Sequence, residues 1–172
     1  YYNSFPIVTD EHINEAIKLE YWIPRVKAIL PAGVHEVCVY DSNFIGYIDY
    51  ISANDDGSFD LWDFKYSNNI KNYLDSEQLH LYKYHYEKQY HHPIRNLNYV
   101  FIPKINIKLK KGEDLYLFRK RIVEELKKSE IQIIQIDYDP QKVIDFYSKI
   151  EIIRETKEFP KEPSYLCNWC EY

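Results

Sequence analysis

Two aspartates and a lysine lie in a stretch of sequence that is otherwise apolar and aromatic. Asp49 lies in the run FIGYIDYISA, and Asp63 and Lys65 lie in the run FDLWDFKY. The residues Asn-Asp-Asp-Gly between the runs are typical of a hairpin turn, so we predict two antiparallel strands near 44–53 and 58–66. Antiparallel pairing of these strands is expected to bring the two acids together.

Side-chain alternation assigns each of these polar residues to an otherwise apolar face, because residues two apart in a strand point the same way. The predicted faces are Ile45, Tyr47, Asp49 and Ile51 in the first strand, and Phe59, Leu61, Asp63 and Lys65 in the second.

Two carboxylates in an apolar setting repel each other unless a positive charge lies between them. Oxygen ligands of this kind suit Mg²⁺ or Mn²⁺, with positions left for water and a substrate phosphate. Lys65 follows Asp63 by two residues and so is placed to orient or deprotonate a water and to offset transition-state charge. The alternative interpretation is a surface ion pair between Asp63 and Lys65 on a half-solvated hairpin.

The elements around this hairpin predict an α/β domain with a central mixed β-sheet flanked by helices. Apolar periodicity and capping residues predict a first helix from Asp10, broken at Pro24, and an amphipathic helix over 112–128. The other predicted elements are strands at 35–40, 97–107 and 131–138, and helices at 75–89 and 140–155. We expect residues 1–172 to form one domain, and a chain without methionine also fits a fragment of a longer protein.

Three motifs in this order resemble those of the PD-(D/E)XK nuclease superfamily. They are Gly46-x-x-Asp49, Asp63-Phe64-Lys65 and Gln78-Leu79-x-x-Tyr82, on the predicted strand, strand and helix. The series is most similar to the RecB-like branch, which includes phage and CRISPR-associated exonucleases. The resemblance runs from about Asp10 to Tyr172 and implies a restriction-endonuclease-like core.

The resemblance implies a role for each matching residue. Asp49 and Asp63 are then metal ligands, the main-chain carbonyl of Phe64 completes the coordination, and Lys65 is the catalytic lysine. Gln78 and Tyr82, one helical turn apart, face the active site and position the lysine, the water or the DNA. A polar stripe on an exposed helix is the alternative for that last pair.

RecB-like enzymes also use a histidine from an upstream helix as a metal ligand. His12 is the candidate because it lies on the predicted first helix, whereas His35 belongs to a strand edge. Glu36 opens the strand before the hairpin and is a candidate supporting ligand. The alternatives are an ordinary surface histidine and a strand-edge charge.

The net charge of the chain is −5, which is unusual for a nucleic-acid binder, but the charges are unevenly distributed along the sequence. Between Lys104 and Lys128 nine Lys or Arg face four Asp or Glu, so this segment carries +5 and the remainder −10. A basic face opposite an acidic pocket suits a metal enzyme that acts on a polyanion. The alternative is a solvated helix with ordinary surface charge.

The three cysteines, an odd number, argue against a disulfide framework and fit a cytoplasmic protein. Cys167-x-x-Cys170 resembles the C-terminal cysteines of RecB-like nucleases that bind an iron–sulfur cluster. Such a cluster needs four cysteines, so we predict none in this chain. Cys38 is predicted to be a core residue, and no apolar run is long enough to span a bilayer.

These observations together predict a Mg²⁺- or Mn²⁺-dependent deoxyribonuclease, with exonuclease action implied by the resemblance. Its expected partners are single- or double-stranded DNA and, by the same resemblance, a helicase or a recombination or CRISPR protein. The alternative is a nucleic-acid-binding domain of the same fold that is non-catalytic or active only with a partner. Phosphate-loop, dinucleotide-binding and G-x-S-x-G signatures are all missing from the sequence.

Overall fold

A computed structural model describes residues 9–158 of the chain. The helices are α1 (Asp10–Ile29), α2 (Lys71–Leu74), α3 (Gln78–Tyr90), α4 (Leu115–Lys127) and α5 (Pro140–Glu155). The strands are β1 (Gly33–Tyr40), β2 (Ile45–Ala53), β3 (Phe59–Tyr66), β4 (Ile94–Ile102) and β5 (Gln132–Ile136).

The five strands form one sheet in the order β1-β2-β3-β4-β5. All neighbouring pairs are antiparallel except β3 and β4, which run parallel. The parallel pair requires a crossover, and α2 and α3 provide it. This mixed sheet flanked by helices confirms the predicted α/β class.

The two faces of the sheet are covered by different helices. On one face α3 packs over a core that includes Leu61, Leu79 and Tyr99, and α5 packs against α3. On the other face α1 and α4 pack on each other around Trp22 and Ile122. Among residues 9–158 the helices are too short or too polar to cross a membrane.

Side-chain caps explain where three of the helices begin. Thr9 Oγ1 accepts from the backbone N–H of His12 at the start of α1, and Asp114 accepts from two N–H groups of α4. Asp139 accepts from Gln141 N, and Pro140 occupies the first turn of α5. These caps satisfy N–H groups that the helix itself leaves without partners.

Two predicted boundaries are wrong. The first helix continues through Pro24 to Ile29, and the Arg25 guanidinium donates to the Tyr21 carbonyl in the turn that proline disturbs. Packing against the sheet and α4 outweighs the local cost of the proline. The fourth strand ends at Ile102 rather than at Ile107, because Pro103 follows it and cannot donate to a sheet ladder.

The predicted alternation over β2 is also wrong, because it changes at Asp49. Gly46 and Ile48 are buried before this position, whereas three consecutive residues, 50–52, are buried after it. Glu36 lies opposite Asp49 in the register of β1 and β2, and it adopts a positive φ of 54°. The change of pattern coincides with this left-handed residue: Ile45 and Tyr47 lie exposed, while Ile51 joins the core.

The strain at Glu36 leads to a first prediction. Replacement by glycine, Glu36→Gly, is expected to raise the free energy of unfolding by roughly 0.5–1 kcal/mol, because glycine adopts positive φ without a steric penalty. Urea unfolding monitored by circular dichroism measures the change. The control Val34→Gly, at an exposed β1 residue, should lower stability by a similar amount. Equal losses in both variants would contradict the assignment of strain to Glu36.

Candidate active site

The pairing of β2 with β3 covers only the half of the hairpin near the turn. Backbone partners run from Ala53↔Phe59 to Tyr50↔Trp62 and then stop. Beyond this point the Asp49 carboxylate replaces the missing strand bond, since its Oδ2 accepts from the backbone N–H of Phe64 at 2.8 Å. The open end of the hairpin therefore places the Asp49 carboxylate against the chain segment that carries Asp63 and Lys65.

Asp63 is almost completely buried, with 1% of its surface exposed. The Lys65 ammonium lies 2.6 Å from Asp63 Oδ2, close enough for an ion pair. Among residues 9–158 this buried oxygen has no hydrogen-bond donor besides the ion pair. A buried carboxylate oxygen with a free lone pair is a feature that a bound cation would satisfy.

Burial has a clear electrostatic effect on this carboxyl group. It raises the pKa of Asp63 from 3.8 to about 6, although the neighbouring Lys65 ammonium acts in the opposite direction. The negative charge of Asp49 raises the pKa further. One ammonium group therefore does not balance the two carboxylates.

Helix α3 holds the lysine in place through a short chain of hydrogen bonds. Lys65 Nζ donates to Gln78 Oε1 at 2.9 Å, and Gln78 Nε2 donates to the Tyr82 hydroxyl at 3.0 Å. Gln78 and Tyr82 are one turn apart, so both side chains lie on the α3 face that meets the sheet. Burial raises the pKa of Tyr82, which keeps its hydroxyl neutral.

Tyr82 also explains why position 46 is a glycine. A Cβ atom at Gly46 would lie 2.5 Å from Tyr82 Cε1 and 3.0 Å from Phe44 Cζ. Gly46 therefore leaves room for the Tyr82 ring to pack directly against β2. The three motifs identified in the sequence are in direct contact in the structure.

The two further ligand candidates, His12 and Glu36, lie on different elements, α1 and β1. His12 is on the exposed first turn of α1, and Glu36 is exposed on β1 opposite Asp49. Among residues 9–158 no three His, Cys, Asp or Glu side chains form a ready metal-binding group. The ligand roles of Asp49, Asp63, the Phe64 carbonyl, His12 and Glu36 therefore stay predictions.

A family model of the PD-(D/E)XK nuclease superfamily matches residues 9–172. The chain belongs to this superfamily. No curated protein matches the sequence. One solved structure, titled "Crystal structure of SSO0001", matches at 17% identity and a TM-score of 0.34 over 70% of this chain. The match covers 61% of that chain.

Two aromatic residues near the lysine were missed in the sequence. The rings of Tyr73 in α2 and Tyr99 in β4 lie 5.2 Å and 5.8 Å from Lys65 Nζ. Tyr99 lies in a predicted strand. Its position near Lys65 follows from the parallel register of β3 and β4, which the sequence does not show. Position 73 carried no signal, since α2 has only four residues.

Other predictions have mixed outcomes. Cys38 is half-buried rather than a core residue. Gln78 and Tyr82 do not form an exposed polar stripe, and the Asp63–Lys65 pair is not at the surface. Cys167 and Cys170 lie outside the described residues.

The close approach at Gly46 leads to a second prediction. Gly46→Ala is expected to destabilise the protein by about 1–3 kcal/mol, because the new methyl group overlaps the Tyr82 ring. In a Tyr82→Ala background the same change should cost much less, which a double-mutant cycle by urea unfolding measures. Equal costs in the two backgrounds would show that Tyr82 is not the obstacle.

The raised pKa of Asp63 leads to a third prediction, for protein in EDTA. Because the folded state binds the proton more tightly than the unfolded state, protonation stabilises the fold fully below about pH 4. This contribution is lost as pH rises through about 6, and a shift of two pKa units corresponds to about 3 kcal/mol.

The variant Asp63→Asn should therefore be more stable than wild type at pH 8 and similar to it at pH 4. Urea unfolding at several pH values measures the difference. Asp55→Asn, in the exposed turn, controls for the change from carboxylate to amide. A stability difference that does not depend on pH would contradict the prediction.

Proposed function

We propose that this protein is a metal-dependent deoxyribonuclease that hydrolyses phosphodiester bonds as a RecB-like exonuclease. The observation that carries the proposal is the arrangement of Lys65, which is held by Gln78 beside the buried Asp63 carboxylate. A nuclease superfamily implies a nucleic-acid substrate. Exonuclease action and the choice of DNA rest on the motif resemblance.

The charges of the site support a divalent cofactor. With both aspartates ionised and Lys65 protonated, the three groups carry one net negative charge. Within the described part of the chain, one buried oxygen of Asp63 has no hydrogen-bond donor. Asp49, Asp63 and the Phe64 carbonyl would hold Mg²⁺ or Mn²⁺. When bound, such an ion supplies positive charge that polarises a phosphate and lowers the pKa of water.

Lys65 is the proposed catalytic lysine of phosphodiester hydrolysis. Its Nζ donates to Gln78 Oε1 and pairs with Asp63 Oδ2, so two contacts hold the amino group beside the buried carboxylate. An ammonium group at this place orients the attacking water and offsets the negative charge that develops on the phosphoryl oxygens. Gln78 fixes the direction of the ammonium, and the Tyr82 hydroxyl fixes the Gln78 amide.

The basic segment supports a polyanionic substrate. Its first residue, Lys104, lies over the ring of Tyr66, the residue that follows Lys65 in β3, at 5.9 Å. Two hydrogen bonds with Asn68 fix the Lys104 backbone there. The segment 104–128 thus starts beside the end of the catalytic strand and would steer a nucleic-acid strand toward it.

A fourth prediction tests the proposal. Linear single- and double-stranded DNA should be degraded by the wild type with Mn²⁺ or Mg²⁺ and not with EDTA. Lys65→Ala should lower the rate by about 100-fold or more, the range for a lost catalytic group. Gel electrophoresis of end-labelled DNA measures the rate and shows whether cutting begins at ends.

The matched control is Lys27→Ala, at an exposed lysine in the last turn of α1, which should leave the rate unchanged. If wild type and Lys65→Ala both bind DNA and neither cleaves it, the protein is a non-catalytic or partner-dependent binding domain. If both cleave at the same rate, the active site is elsewhere.

A further inference from the structure

We propose that Tyr73 and Tyr99 form an aromatic cage that positions the Lys65 ammonium, an inference that rests on the proposed function of this lysine. Both ring centroids lie within 6 Å of Lys65 Nζ, at 5.2 Å for Tyr73 and 5.8 Å for Tyr99. The negative face of an aromatic ring attracts a cation at this distance, most strongly where water is excluded.

The cage is built by the parallel pairing of β3 with β4. In this register Asp63 lies beside Tyr99, and Lys65 lies beside Phe101. Tyr99 and Phe101 are both buried, and their ring centroids are 5.6 Å apart. One wall of the cage is therefore part of the sheet.

The second wall comes from the short helix α2. The Tyr73 ring packs 5.8 Å from Phe101 and 6.3 Å from Tyr99. Phe101 thus contacts both rings. Since only 15% of the Lys65 side chain is exposed, the cage has little competition from water.

The two rings attract the Lys65 ammonium without occupying an oxygen of Asp63. The Asp63 oxygen nearest to Lys65 is also the oxygen that fits a cation, so the ion pair and a bound metal compete for it. A ring face attracts ammonium without using a ligand oxygen. Together with Gln78, the cage would keep Lys65 in position when Asp63 binds a cation.

The experiment compares Tyr73→Leu, which removes the ring, with Tyr73→Phe, which keeps it. Metal-free protein in EDTA is treated with an acetylating reagent at one fixed pH, and mass spectrometry measures the acetylation rate of each lysine. In Tyr73→Leu the rate at Lys65 should rise about three- to tenfold, the change expected for one lost cation–π contact. Tyr73→Phe should match the wild type.

Lys83 provides an internal control, because its ammonium lies at the same distance, 5.2 Å, from the ring of Tyr138. Its acetylation rate should not change in either Tyr73 variant. Tyr138→Leu should have the reverse effect, with faster acetylation of Lys83 and an unchanged rate at Lys65. An unchanged acetylation rate of Lys65 in Tyr73→Leu would overturn the proposal. Faster acetylation of both Lys65 and Lys83 in this variant would also overturn it, because it would indicate a general loosening of the packing.

DNA cleavage gives a second measurement. Tyr73→Leu should lower kcat about three- to tenfold with KM nearly unchanged, Tyr73→Phe should restore kcat, and Tyr138→Leu should leave it unchanged. Loss of activity in Tyr73→Phe equal to that in Tyr73→Leu would overturn the role of the ring. If the wild type does not cleave DNA but the acetylation pattern is as expected, the cage stands and the nuclease proposal is wrong.

Discussion

The burial of one carboxylate, that of Asp63, is the constraint on which the rest of this structure depends. Asp63 lies on β3, the central strand, which is paired with β2 on one side and with β4 on the other. An ionised carboxylate is costly in such a place unless cations or hydrogen bonds compensate it. Lys65 compensates the charge only in part, because burial still raises the pKa of Asp63.

The site is precise because rigid elements hold it. Lys65 is on the same strand as Asp63, and the Gln78 amide that binds it belongs to the first turn of α3. The close contact between Gly46 and Tyr82 sets the distance between α3 and β2. Sites built on strands and helices in this way keep their geometry better than sites built on loops.

Two buried histidines that are not part of the site keep α3 in place. The ring of His85 stacks on Phe44 at 4.4 Å, and its Nε2 lies 3.0 Å from the hydroxyl of Tyr147 in α5. His80 Nδ1 accepts from the backbone N–H of Asp139, just before α5. Burial lowers the pKa of both histidines, which favours the neutral form that these contacts use. The contacts fix α5 on α3 and so fix α3 over the sheet.

The sequence by itself determined the α/β class, most of the elements and the set of residues that meet at the site. Asp49, Asp63 and Lys65 were identified because hairpin and strand patterns are local and their spacing is visible along the chain, whereas Gln78 and Tyr82 were identified from the motif resemblance. Only the tertiary structure decided the left-handed Glu36, the opening of the hairpin at Asp49 and the rings of Tyr73 and Tyr99 around the lysine. These features depend on the register between strands and on packing between elements far apart in sequence, and neither has a local signature.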